Sequence, residues 1–288
     1  VKEDHNLDIK KTIEFLNKKT TFKNNHTFNK KSKRKITAII ITHMWGNALD
    51  FFDLKKICKK KNIRVIEDAA EALGTFYKKG NFKDKHVGTI GDIGCLSFNG
   101  NKIITTGSGG AILTGDKTVA KKIIYLSEQA KNDGIKYIHN EVGYNYRLSN
   151  INSAFGLGQM SKINIYLKRK KFNYQYYTNY IDKIPGLQIL KPRNISRSNH
   201  WMNVLKIDSK LIKKKPMFFH KKLLDHGIQT RLVWKPNHLQ NMYKNDQKFK
   251  ITISNRIYDS CLCIPSSVNL NIKKLKKICN IIEKIANG

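Results

Sequence analysis

The chain has 288 residues, 40% hydrophobic and 10% aromatic, which is enough for one large or two modest globular domains and excludes bulk disorder. Lys and Arg number 55 against 21 Asp and Glu, a net charge of +34, yet the basic residues are scattered in short runs such as Lys59-Lys60-Lys61, Lys168-Arg169-Lys170-Lys171 and Lys213-Lys214-Lys215, beside Asn and Ile. That spread reads as a solvated surface that attracts anionic substrates, and it weighs against a specific nucleic-acid interface, in which cations gather on one element with stacking aromatics.

The first predicted element is a helix over residues 8–16, with apolar Ile9, Ile13 and Leu16 on one face. A basic, polar connector follows through Lys35. Residues 36–42 form a nearly continuous β-branched run, predicting a strand buried on both faces. A helix over residues 51–61 and a second strand ending at Glu67-Asp68 complete a strand, helix, strand unit. Such units join parallel strands by a right-handed crossover and put chemistry beyond the strands' carboxyl ends, where His43 and Asp68 stand. Two more short strands, 94–98 and 110–114, flank a glycine-rich loop and precede a helix over about 117–129. Residues 149–168 read as helical, with small Ala154, Gly156 and Gly158 suited to close helix approach, and the pattern runs on through 172–184 to a Pro185-Gly186 stop.

Beyond that stop, short strands (201–207 and 229–233), a helix (217–226) and a last amphipathic helix (272–285) make up a smaller α+β unit. The expected division is residues 1–164 and 165–288. Five cysteines, an odd count without a secretory leader, predict reduced thiols in a cytoplasmic protein rather than a disulfide framework. Cys261 and Cys263 lie in an apolar run without a second ligand pair, so they read as core thiols and no metal site is expected. No apolar stretch approaches the roughly 20 residues of a membrane-spanning helix.

Two segments carry chemistry. In the first, Ser97-Phe98-Asn99-Gly100-Asn101-Lys102 leads into Gly107, Gly109 and Gly110: a lysine between a buried strand and a turn whose glycines let backbone approach a ligand, with a serine hydroxyl able to donate to an anion. A lysine held there can act as an amine nucleophile toward a carbonyl. In the second, Ile66-Glu67-Asp68-Ala69-Ala70-Glu71 puts an aspartate at the end of a buried strand, followed by small residues. A lysine for an aldehyde and an aspartate for a pyridinium nitrogen are what a pyridoxal phosphate site requires.

These runs, with Ile41-Thr42-His43-Met44-Trp45-Gly46, Gly91-Asp92-Ile93-Gly94-Cys95-Leu96 and Gly143-Tyr144-Asn145-Tyr146-Arg147-Leu148, resemble the DegT/StrS-like nucleotide-sugar aminotransferases. Within that family the stretches around Lys102 and from Gln229 to Gln240 are most similar to the 4-aminotransferases of the legionaminic acid pathway. The resemblance covers essentially the whole chain. It implies an α/β fold of the fold-type I pyridoxal phosphate enzymes: a mostly parallel sheet with helices on both faces, plus the smaller C-terminal domain. The implied reaction moves an amino group from glutamate to a nucleotide-linked 4-keto-6-deoxy sugar for surface polysaccharide or nonulosonic acid synthesis.

Residue by residue, the resemblance implies that Lys102 binds the cofactor's aldehyde and shuttles protons. Asp68 would pair with the pyridine nitrogen and Ser97 would bind the phosphate. Glu71, where many relatives carry Gln, would lie near the 3-hydroxyl. Asn145 would reach the cofactor phosphate of a neighbouring subunit, implying a homodimer with shared active sites. His139 and Arg231 are weaker substrate-binding candidates, and His43 is a weak candidate near the cofactor. Relatives begin with roughly a hundred further residues, about one domain's worth, so the chain reads as N-terminally truncated. The alternatives are a catalytically incomplete remnant of such an enzyme and a basic nucleic-acid-binding protein.

Overall fold

The computed structural model describes residues 4–288. Helix α1 (Ile9–Lys18) starts at Asp8, whose carboxylate accepts from the Lys11 amide and so satisfies a free N–H of the first turn. The stretch expected to be a connector is ordered instead. Thr20–Lys23 pairs antiparallel with His26–Asn29, and Lys35–Ile36 adds a third short strand. Asn24 and Asn25 at the hairpin tip both have left-handed backbone, φ 50° and 57°, the two-residue turn that matches strand twist and that Asn tolerates.

Strand β1 (Ala38–Thr42), helix α2 (Phe52–Lys60) and strand β2 (Arg64–Asp68) form the expected crossover unit, with Thr42 opposite Asp68 in parallel register. Strand β3 (Ile93–Ser97) adds in parallel with Cys95 beside Asp68, and β4 (Gly110–Leu113) closes the four-stranded sheet antiparallel. Alternation along the strands sorts the side chains onto two faces. Ile41 and Val65 pack with Leu16, Leu54 and Cys58 from α1 and α2. On the other face Ile40 is 65% and Ile112 52% exposed. The β-branched run of β1 is therefore buried on one face, not on both. That open face carries Asp68, Cys95 and Ser97.

Helix α3 (Lys117–Ser127) follows the sheet. The long helix expected from residue 149 is two helices, α4 (Asn150–Met160), capped by the Ser149 hydroxyl, and α5 (Ile163–Ile181), with the break at Ser161-Lys162. Gly156 does not serve helix packing. A Cβ there would lie 2.6 Å from Thr106 Cγ2, so the glycine lets α4 sit against the loop after Lys102, whereas Gly158 faces open space.

The C-terminal sheet is antiparallel in the order β5 (Leu187–Ile189), β6 (Asn203–Ile207), β8 (Cys261–Ile264), β7 (Arg231–Leu232). Helices α5, α6 (Pro216–Asp225) and α7 (Ile272–Asn287) cover it through Tyr177, Ile181, Phe219, Leu223, Cys279 and Ile282. Cys58, Cys261, Cys263 and Cys279 are buried and form no disulfide, as core thiols would be. A third apolar cluster, Trp45, Ile103 and Ile104 against Trp201, Val204 and Val233, joins the segments before and after α5. Among the described residues no helix is long and apolar enough to cross a membrane, and no His, Cys, Asp and Glu group is arranged to hold a metal.

Candidate active site

The turn after β3 is tied by the Lys102 amide to the Asn99 carbonyl (3.0 Å) and by the Thr106 amide to the Phe98 carbonyl (2.9 Å). These bonds hold Lys102 half-buried with Nζ 4.2 Å above the centre of the Trp201 ring. The ring is fixed in turn, its Nε1–H donating to the Asn101 carbonyl at 2.7 Å. Burial lowers the Lys102 pKa, and the carboxylates of Glu71 and Asp68 oppose the shift without cancelling it. A larger fraction of free amine is therefore present at neutral pH than for a solvated lysine.

Asp68 stands at the carboxyl end of β2. Its Oδ1 accepts from the Ala70 amide at 3.1 Å, which fixes the carboxylate and leaves Oδ2 for a ligand. Ser97 ends β3 on the same face of the sheet, its Oγ accepting from the Asn99 amide at 3.3 Å and its O–H still able to donate. Glu71 lies in the turn after β2, with Oε2 accepting from the Trp45 amide at 2.6 Å. Burial pushes its pKa up to about 7, against the pull of the Trp45 amide and of Lys102. Near neutrality about half of Glu71 is a carboxylic acid, able to donate a hydrogen bond as an amide would.

Trp45 reaches Glu71 because its backbone is left-handed, φ 60°. The strain is held in place by stacking. Trp45 lies 4.4 Å from Trp234 at an interplanar angle of 6°, and Trp234 lies 6.0 Å from Trp201 at 11°. Trp45 also lies 6.3 Å from Trp201, so all three tryptophans of the chain form one cluster of near-parallel rings, with Lys102 over Trp201. Gly46, also left-handed, is required next door. A Cβ there would lie 1.9 Å from Asn199 Oδ1, and the buried Asn199 amide group donates to the carbonyls of Glu71 and Leu73.

Lys102 and Arg231 line the same chamber, of about 340 Å³, with Lys170, Trp201, Thr230 and Ser266 on its wall. The other candidates lie elsewhere. Asn145 is exposed and lines a separate crevice with Cys95, Gly109 and Ile112. His139 is exposed on a short strand, Nδ1 against the Gln129 carbonyl at 2.8 Å, and is not part of the Lys102 chamber. His43 must be corrected. It is fully buried, with Nε2 2.9 Å from Glu67 Oε2 and Nδ1 accepting from the Leu49 amide. Its backbone stands at the end of β1, but the ring points into the core under α2, where no substrate reaches it.

The sequence profile described as the DegT/DnrJ/EryC1/StrS aminotransferase family matches residues 2–283. The chain belongs to this family. Among its DegT-family relatives, the GDP-perosamine synthase of Escherichia coli O157:H7 is 33% identical over 88% of this chain and 67% of its own length. A UDP-4-amino-4,6-dideoxy-N-acetyl-beta-L-altrosamine transaminase of Campylobacter jejuni (strain 81-176) is 29% identical over 100% and 73%. The aminotransferase PseC of Helicobacter pylori superposes with a TM-score of 0.85, at 23% identity, over 100% of this chain and 72% of that one. The chain spans 62% of the first curated relative and 69% of the next, about two thirds of such DegT-family proteins.

DegT-family aminotransferases use pyridoxal phosphate, and the donor set here fits it. A desolvated amine, a strand-end carboxylate with one open oxygen, a carboxyl group near half protonation and a serine hydroxyl gather where the parallel strands end. Asp68 and Lys102 would hold its ring nitrogen and aldehyde, and Ser97 its phosphate. Lys170, Trp201, Trp234 and Asn199 were missed in the sequence. The tryptophans could have been singled out by their rarity. Lys170 is in phase with Asn173, Tyr177 and Ile181, the buried side of α5, but it lies within a run of cations that reads as solvated.

Proposed function

We propose that the chain carries the catalytic lysine of a pyridoxal phosphate-dependent aminotransferase that moves an amino group from glutamate to a nucleotide-linked 4-keto-6-deoxy sugar. The product would feed surface polysaccharide or nonulosonic acid biosynthesis. The observation that carries this reading is the placement of Lys102, a half-buried amine of lowered pKa coupled to Asp68 and Glu71. The names of the relatives, a GDP-perosamine synthase and a UDP-linked amino-sugar transaminase, support the sugar class.

Bound pyridoxal phosphate supplies an aldehyde and an electron-poor ring that draws density from the donor's Cα. Lys102 Nζ would be the base that takes the proton from the donor's Cα and, as the ammonium, the acid that gives it back, and the same amine would serve the amination of the keto sugar. The carboxylate of Asp68 would hold the ring nitrogen in its protonated form, Ser97 would bind the phosphate, and Glu71 in its acid form would serve the 3-hydroxyl. Trp201 shields one side of Lys102 from water, which keeps the amine desolvated.

Mixing the chain with pyridoxal phosphate and glutamate should release 2-oxoglutarate stoichiometrically with sites, and adding the keto sugar should make the reaction catalytic. Asp68→Asn keeps the bond to the Ala70 amide and removes the charge, so the first half-reaction should slow about a hundredfold or more. Equal rates in Asp68→Asn and wild type would remove Asp68 from the site.

Asn145 is proposed to complete the site of a second copy in a homodimer. In the chain on either side of it, Val142, Ile151 and Leu157 are 82%, 83% and 74% exposed, apolar side chains of the kind a partner surface covers. Sedimentation velocity should give about twice the 33.3 kDa chain mass; a single 33 kDa species at micromolar concentration would contradict it.

A further inference from the structure

Lys170 is 6% exposed, yet among the described residues none of its hydrogen-bond partners is an anion. Its Nζ donates to the Trp201 carbonyl at 2.9 Å and to Ser266 Oγ at 3.5 Å, two neutral acceptors for a group with three donors. A desolvated cation is normally paired. Here burial alone acts on it, taking its pKa down to about 8. Lys170 lines the Lys102 chamber, and Arg231 lines the same chamber from β7. Among the described residues the wall therefore carries Lys102, Lys170 and Arg231 and neither an Asp nor a Glu; its one thiol there, Cys263, is held neutral by burial. The Lys170 and Lys102 side chains meet the same residue, Trp201, one at its carbonyl and the other at its ring. A buried ammonium with an open donor thus stands one residue away from the reactive amine.

We propose that Lys170 binds a carboxylate of the amino donor and so orients its Cα toward Lys102. This rests on the aminotransferase reading above. The chamber volume, about 340 Å³, is at the small end of the roughly 300–1,000 Å³ of small-molecule sites, which suits an amino acid better than a nucleotide-linked sugar. Lys170 from α5 and Arg231 from β7 supply two cations for a diacid, the inner one buried and the outer one exposed. A bound carboxylate gives Lys170 a charged partner, and the charge-assisted bond is strengthened because Lys170 itself is buried.

The test is calorimetric titration of glutarate, a diacid that cannot transaminate, into the chain loaded with pyridoxal phosphate, for wild type, Lys170→Met and Lys170→Arg. Lys170→Met should weaken glutarate about tenfold or more and raise the KM for glutamate more than it lowers kcat. Lys170→Arg should recover much of the binding. The visible cofactor band and the affinity for UDP should be unchanged in all three, and circular dichroism confirms that each variant is folded. Unchanged glutarate binding in a folded Lys170→Met, or a loss of UDP binding instead, would overturn the assignment. Absence of the cofactor band in wild type would strike the aminotransferase reading itself, a separate outcome.

Discussion

Replacing Lys102 by Ala is expected to cut amino transfer at least about 10³-fold, because one side chain supplies both the amine that meets the cofactor and the base that moves the donor's proton. The folded state should barely change. The substitution removes an amine that burial already disfavours and a cation-π contact with Trp201 at 4.2 Å, effects of about 1 kcal/mol and opposite sign. Absorbance spectra with added pyridoxal phosphate would show the cofactor band in wild type only, beside melting temperatures within a few degrees. Lys102→Arg should not restore activity, since a guanidinium does not give up its proton. Retention of a tenth of the wild-type rate in Lys102→Ala would remove this residue from the chemistry.

Glu67→Ala is expected to be the most damaging substitution for stability. Glu67 is fully buried beneath the sheet. One oxygen accepts from the amides of Ile90 and Gly91, the other from the Gly88 amide at 2.8 Å and from His43 at 2.9 Å. This carboxylate ties the loop before β3 to the end of β1. Burial pushes its pKa up, but the His43 bond and the Gly91 and Gly88 amides outweigh burial and leave it lowered. Truncation would orphan these buried donors together, a loss of about 3–5 kcal/mol or a fall in Tm of about 10 °C. Glu67→Gln should be milder, because it fills the same space and keeps one of the two acceptor oxygens. Because the folded pKa is depressed, the carboxylate's contribution is complete above the ordinary Glu pKa and is lost as pH falls through the folded value. Chemical denaturation at pH 7 would check the ranking, and a Glu67→Ala protein as stable as wild type would refute it.

The crossover unit and the glycine-rich turn that carries Lys102 were legible because each depends on local pattern. The β-branched run of β1, the strand-end Asp68 and the glycines after Lys102 are contiguous in the chain, and each constrains the backbone directly. What was not legible depends on direction. His43 and Asp68 both stand at strand ends, but alternation sends one ring into the core and leaves the other carboxylate on the open face, and only the neighbouring Glu67 shows which. The hairpin at Asn24-Asn25 was hidden by its charge: lysines flanking a two-residue turn look like linker. Lys170 illustrates the converse error, since a lysine in a basic run is solvated on three sides of a helix and buried on the fourth. The contact among the tryptophans was beyond reach because Trp45 lies more than 150 residues from Trp201 and Trp234, in the other half of the chain.

The central claim is that Lys102 is the amine that meets pyridoxal phosphate. The most direct measurement is peptide mapping by mass spectrometry after borohydride reduction of the chain saturated with the cofactor. In a chain with so many exposed lysines, stoichiometry decides. The account predicts one pyridoxyl group per chain at Lys102 at the lowest cofactor excess, absent from Lys102→Ala, with other lysines labelled only at high excess. Labelling spread over surface lysines with Lys102 no more modified than the rest would contradict it.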